Sequence, residues 1–201
     1  MNSIKHLLCV ATTLLLVACG TSPQHQHYVL SSNQQAAATG HAPSVGVGPI
    51  TIPEYLNRNA MVYSEGGNRL HVASYERWAE PLPAGIQRVL GLNLSTGLNT
   101  QDIRPHPWRR DDLPDFAVQV SILALDASSS SAELVAEWRV TRRDSDVLLA
   151  QRISRWSTPV QGPDWQASAT AAAYSTLLEK LSEEIANVIR SAADAGDAAQ
   201  N

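Results

Sequence analysis

DFAVQVSILALDASSSSAELVAEWRVTRRDSDVLLAQRISRW, residues 115–156, decides the fold. Phe116, Val118, Val120, Ile122 and Ala124 fall on alternate positions, and Leu134, Ala136, Trp138 and Val140 repeat the pattern. Residues 147–156 continue it less cleanly. Two polar interruptions, Ser128 to Ser131 and Asp144-Ser145-Asp146, mark solvent-facing turns. A period of two with one apolar face predicts a three-stranded antiparallel meander, and such a face needs a cover.

The cover is written on both sides of it. Downstream, Pro163-Asp164 is a helix-start signal, and Tyr174, Leu177, Leu178, Leu181, Ile185 and Val188 form an apolar stripe at helical spacing. Upstream, Ile86, Val89, Leu90, Leu94 and Leu98 do the same behind prolines at 81 and 83, where a missing N–H costs least. Residues 44–52 read as a buried strand with glycines at 46 and 48 that let another backbone approach, and Pro53 ends it. Residues 60–64 and 68–74 read as a hairpin around Glu65-Gly66-Gly67, and residues 28–31 as a first strand. The expected architecture is α+β with an α/β-like flavour: a mixed, largely antiparallel sheet covered by two main helices in a single domain, residues 28–190. Residues 191–201 lack apolar periodicity and are expected to form a frayed, disordered tail.

With 201 residues, 44% apolar and 17% charged, the chain fits one globular domain. The net charge of -4 argues against a basic duplex-binding surface. Removing residues 1–18 takes away Lys5 and no acid, leaving 14 basic against 19 acidic side chains. No uninterrupted apolar stretch reaches the length of a permanent membrane-spanning helix. Both cysteines, Cys9 and Cys19, fall within the first 20 residues, so they form no disulfide framework or cysteine-rich zinc site in the body.

That N-terminal segment has a different use. A polar start with one lysine is followed by an apolar run, Leu7 to Ala18, of secretory-signal proportions. It ends Leu16-Val17-Ala18-Cys19, which resembles the bacterial lipobox and predicts lipoprotein processing with Cys19 as the acylated N-terminus. Residues 1–18 are then the signal peptide and residues 19–27 an acylated tether. Gly20 stands where inner-membrane lipoproteins of proteobacteria typically carry Asp, so outer-membrane sorting is implied, with the domain in the periplasm.

The search for chemistry finds little. No HExxH-type spacing links the histidines, and His25-Gln26-His27 falls in the expected tether, where a solvated linker is the simpler reading than a weak metal site. No Gly-x-Ser-x-Gly elbow occurs. Gly46-Val47-Gly48-Pro49 lacks the third glycine of a dinucleotide fingerprint. Asp111-Asp112 and Glu183-Glu184 are adjacent acids that do not face each other, and Arg109-Arg110 and Arg142-Arg143 are followed by acids that offset them. No catalytic residue, metal site or cofactor is expected beyond covalent lipid on Cys19.

Val45-Gly46-Val47-Gly48-Pro49-Ile50, Pro53-Glu54-Tyr55-Leu56-Asn57-Arg58 and above all Arg77-Trp78-Ala79-Glu80-Pro81-Leu82 carry a family resemblance, supported by Pro107-Trp108 and Trp138. On these residues the chain resembles the PqiC family of ABC-type transport auxiliary lipoproteins. The resemblance implies a non-enzymatic outer-membrane lipoprotein that works with a periplasm-spanning MCE-domain protein in a lipid transport system linked to envelope integrity. Because an MCE tube is a closed ring, a homo-oligomeric ring of this chain is a geometric expectation. Arg77, Trp78 and Glu80 have two readings. Either Trp78 packs in the core while Glu80 and Pro81 set the start of the first helix, or Arg77 and Trp78 belong to a partner-binding patch, as such residue types dominate hot spots. Tyr55 and Arg58 share that question. A lipid carrier holding a phospholipid between helix and sheet, and a hydrolase with a triad assembled from distant residues, are the competing functions.

Overall fold

The computed structural model describes residues 24–200 except 35, 36, 42, 110, 144–146, 161 and 163, with the backbone alone over 196–200. Cys19, the segment read as a signal peptide, Asp144-Ser145-Asp146 read as a turn, and Pro163 lie outside the described residues.

The meander forms as its alternation requires. β6 (Phe116–Ala127), β7 (Ser131–Arg142) and β8 (Val147–Pro159) pair antiparallel in chain order, with Val120 opposite Trp138 and Trp138 opposite Arg152. A register shift between Ile122 and Ala124 exposes Leu123 and restores the inward face at Leu125. β2 (Val45–Thr51) joins β6 in parallel and β5 (Ile103–Pro105) joins β2, giving a five-stranded sheet of order β5-β2-β6-β7-β8. Ser44 ties the starts of β2 and β6 together: its N–H and hydroxyl donate to Asp115 Oδ2 at 2.9 and 2.8 Å.

Helices α1 (Leu82–Leu98) and α2 (Ala167–Gln200) lie side by side on this sheet, α1 against β2 and β5, α2 against β6, β7 and β8. Ile86, Val89, Leu90 and Leu94 of α1 meet Tyr174, Leu177, Leu178, Leu181 and Ile185 of α2 over Val118, Leu134 and Trp138, all buried. The stripe on α2 ends at Ile189, with Val188 only partly buried. The helix also runs on to Gln200 rather than fraying from 191. Missing apolar periodicity removes a packing face but not helix propensity, which alanines at 192, 193 and 195 supply, and Ala192 and Ala193 still rest against the core.

The hairpin belongs to a second, three-stranded sheet that the sequence did not separate. β3 (Ala60–Ser64) and β4 (Leu70–Trp78) pair antiparallel, and β1 (Gln26–Tyr28) adds to β4 in parallel, Gln26 opposite Glu76 and Tyr28 opposite Trp78. The first strand therefore starts two residues earlier than its apolar run. Parallel pairing to β4 fixes it, and Leu30 is freed to enter the core. His27 stands in a strand, and the tether expected to reach residue 27 stops short of Gln26.

From Val29 the chain crosses both helices as a strap. Ser31 N–H donates to Ser175 Oγ at 3.0 Å, Ser32 Oγ to Asn93 Oδ1 at 2.6 Å, and Gln34 Nε2 to Glu179 Oε1 at 2.6 Å. Gly40 then bridges to Thr100, and β2 begins.

Candidate functional site

Two places draw functional side chains together: the seam between the sheets, and a trough along the outer face of α1.

The seam collects the residues singled out at 77–82 and 53–58. Trp78 is 7% exposed and stacks on Tyr174, ring centroids 6.2 Å apart, so it pins the small sheet to α2 and offers no ring to a partner. Arg77 folds back on its own strand. Its Nη1 donates to the Ala73 carbonyl at 2.6 Å and its Nη2 to that of Ser74 at 2.8 Å, where the β3–β4 register is shifted and those carbonyls need donors. Glu80 lies over the first turn of α1: its Oε1 accepts from Arg88 Nη2 at 2.5 Å, and a Cβ on Gly85 would come within 3.2 Å of the same oxygen. Arg88 Nη2 also donates to the Leu30 carbonyl at 2.8 Å, so this acid–base pair clamps the strap, the sheet connection and the helix start together.

Tyr55, in a 3-10 turn over Glu54–Leu56, donates its hydroxyl to Asp126 Oδ1 at 3.1 Å. Burial and the facing carboxylate push its pKa up to about 12. Burial raises Asp126 as well, partly opposed by that hydrogen bond. Tyr174 approaches the same acid from below, donating to the Leu125 carbonyl at 3.1 Å, and its pKa rises through burial first and Asp126 second. Arg58 is exposed. Of the five residues, then, Trp78, Arg77, Glu80 and Tyr55 spend their functional groups on internal contacts, and Arg58 faces solvent.

Three of the four paired acids, Asp111, Asp112 and Glu184, have arginine partners. Asp111 pairs with Arg109, Asp112 with Arg104 at 2.6 Å, and Glu184 with Arg152. Arg104 bridges Asp112 and Asp102, holding the Asp102 carboxyl below its ordinary range through a direct hydrogen bond. Arg142 lies over the Phe116 ring, 5.4 Å from its centroid, and donates to the Ala192 carbonyl. Gly46 makes room for a side chain rather than a backbone: a Cβ there would fall 2.5 Å from the Trp108 ring, whose Nε1 donates to the Arg104 carbonyl at 2.9 Å.

The trough was missed. It lies between α1 and the β2–β5 edge, about 490 Å³ in volume, lined by Val47, Ala84, Gln87, Gly91, Leu92 and Ile103 among others. It meets a second recess of about 650 Å³ beneath the strap at Arg88, Leu92 and Ser95. Gln87 Nε2 spans its floor to the Val47 carbonyl at 2.7 Å. Leu92 is 48% exposed and Val29 53%. The signal was present in the sequence: Leu92 is a leucine off the buried stripe of its own helix.

Comparison with known proteins accords with this architecture. A crystal structure of an uncharacterized protein superposes with a TM-score of 0.64 at 18% identity, covering 83% of this chain and 99% of that one. A crystal structure of a protein from Xanthomonas campestris gives 0.64 at 12% identity, covering 85% and 99%. These likenesses establish the fold. The intermembrane transport lipoprotein PqiC of Escherichia coli (strain K12) is 29% identical over 99 residues, 47% of this chain and 53% of that protein, so the match spans about half the length of the curated relative. Residues 28–186 match the family described as ABC-type transport auxiliary lipoprotein component, from the end of β1 to the middle of α2. On that match, which takes in both sheets, α1 and the strap between them, the chain belongs to the ABC-type transport auxiliary lipoprotein component family.

Proposed function

We propose that this protein is an outer-membrane-anchored periplasmic lipoprotein that serves as the docking subunit of a Pqi-like, MCE-type intermembrane lipid transport system and so supports envelope integrity. The carrying observation is that a family match over residues 28–186 follows a lipobox-like Cys19 at the end of a short apolar segment. The name of the Escherichia coli relative, an intermembrane transport lipoprotein, supports the same reading. Among the described residues no helix is long and apolar enough to cross a membrane; on this reading the attachment is the acylated Cys19. The role is non-enzymatic on this reading: the seam's polar groups are engaged in holding elements together.

The partner is an MCE-domain protein that spans the periplasm, and a ring of this chain would match the end of a closed tube. Mild solubilisation of membranes, isolation of tagged full-length protein and mass spectrometry of what accompanies it tests the assignment. A near-stoichiometric MCE protein is the expected outcome. Recovery of the protein alone, with normal barrier function in a Cys19→Ala strain, would sink it.

The trough favours a second reading, a carrier that holds a phospholipid acyl chain. The space between the helices and the sheet is filled by Leu90, Leu94, Leu177 and Leu181, so a lipid has room along α1 and not between the layers. Native mass spectrometry of the purified protein that finds no bound phospholipid would remove this reading.

A further inference from the structure

β1 gives the molecule a direction. Because it runs parallel to β4, with Gln26 opposite Glu76, its N-terminal end points back along β4 toward Leu70 and the β3–β4 turn. His25 follows that line, its ring 6.1 Å from the Tyr75 ring. Seven residue steps separate Cys19 from Gln26, a full extension of at most roughly 25 Å. Six steps of β4 lead from Glu76 back to Leu70, about 20 Å of strand. The reach of the anchor and the distance to the hairpin turn agree.

The hairpin itself is built for contact. Leu70, Val72 and Tyr75 are 41%, 43% and 42% exposed. Gly66 and Gly67 form the turn at φ 97° and 59°, and no atom lies within 4 Å of where a Cβ on either would stand, so the turn projects from the body. Its charges are matched: Glu65 lies 3.6 Å from Arg69 and 3.2 Å from His71. The far end of the molecule is fixed by other contacts. Trp165, just before α2, stacks on Tyr63 of β3, whereas the opposite end of α2 meets Arg142 beside the start of β8.

We propose that the β3–β4 hairpin seats on the bilayer that holds Cys19, with Leu70, Val72 and Tyr75 at the headgroup boundary and the start of β8 facing away from the membrane. Small apolar surfaces with an aromatic beside them settle at that depth, and a matched charge pair tolerates zwitterionic and anionic headgroups alike. The inference rests on acylation of Cys19.

The test uses the full-length protein in vesicles of phosphatidylethanolamine and phosphatidylglycerol, with an environment-sensitive fluorophore on Asn68→Cys or on Val147→Cys. Intact mass first establishes whether Cys19 carries lipid. Quenching of the Asn68 probe by lipid-borne nitroxide several-fold above that of the Val147 probe is the expected result, with the order reversed for a water-soluble quencher. In a Leu70→Ser/Val72→Thr background, which keeps strand-compatible residues, the contrast should fall severalfold while vesicle binding persists. Equal quenching of the two probes in acylated, vesicle-bound protein overturns the seating and leaves the anchor standing. An unmodified Cys19 overturns both, and the mass distinguishes the two failures.

Discussion

In the five-stranded sheet, Val118, Ile122, Leu134 and Trp138 lie under α2 with almost no solvent contact; in the three-stranded sheet, Leu70, Val72 and Tyr75 stand in water. Both sheets are drawn from β-branched and aromatic residues, and the difference is what lies over them. Two helices cover the large sheet, whereas the small one is attached along its seam by Trp78 on Tyr174 and by Tyr63 on Trp165 and buries Met61, Val62 and Ala73, leaving Leu70, Val72 and Tyr75 of its hairpin uncovered. An apolar surface that a fold leaves uncovered is available to something else.

The contrast can be broken at its strong side first. Trp138→Ala empties a buried site beneath α2 and is expected to cost about 3–5 kcal/mol, read from chemical denaturation; a cost near that of an exposed residue would mean the large sheet is not the stability core. Trp78→Ala should cost about 3 kcal/mol and also accelerate amide exchange selectively in β1, β3 and β4, since it cuts the link between sheets. Uniform acceleration would show the two sheets to be one cooperative unit. Arg77→Ala strands the Ala73 and Ser74 carbonyls and is expected to cost about 1–2 kcal/mol, with Arg77→Lys restoring only part because a point charge cannot span both.

Asp126 sharpens the seam. Burial raises its carboxyl pKa in the folded state, so its contribution is most favourable below the unfolded value of about 3.9 and is lost as pH rises through the raised folded value. Asp126→Asn keeps an amide oxygen for Tyr55 and should stabilise the protein near neutrality by well under about 1 kcal/mol. The gain should vanish in acid. Thermal melts across pH that show a constant offset would contradict this. The smallest effect belongs to Leu70→Ser, within about 0.5 kcal/mol; a larger loss would show the hairpin to be structural after all.

Much of this was legible in the sequence where a period is long. The alternation of 116–125 and 134–140 carried the meander, and the stripes from Ile86 to Leu98 and from Tyr174 to Val188 carried the two helices that cover it. Partition into two sheets was not legible, because the pairing of Gln26 with Glu76 spans fifty residues and leaves no local mark. β5 was missed for the same reason: three residues ending in Pro105 show no period, and only β2 makes them a strand. Trp78 and Glu80 stood out by residue type, yet type alone did not separate a hot spot from a core tryptophan; Tyr174, ninety-six positions away, settled where Trp78 sits. The α1 trough left one trace, the misplaced Leu92.

The parallel pairing of β1 with β4 also has a mechanical meaning. A pull on the N-terminus acts along the β1 axis, and its ladder bonds lie across that axis, so Gln26, His27 and Tyr28 are loaded together in shear rather than peeled one at a time. The next restraints in line, Ala79 N–H on the Tyr28 carbonyl and Ser31 N–H on Ser175, take up load before the strap can lift from the helices. Under tension in this direction, Gln26, His27 and Tyr28 act as a lap joint on β4.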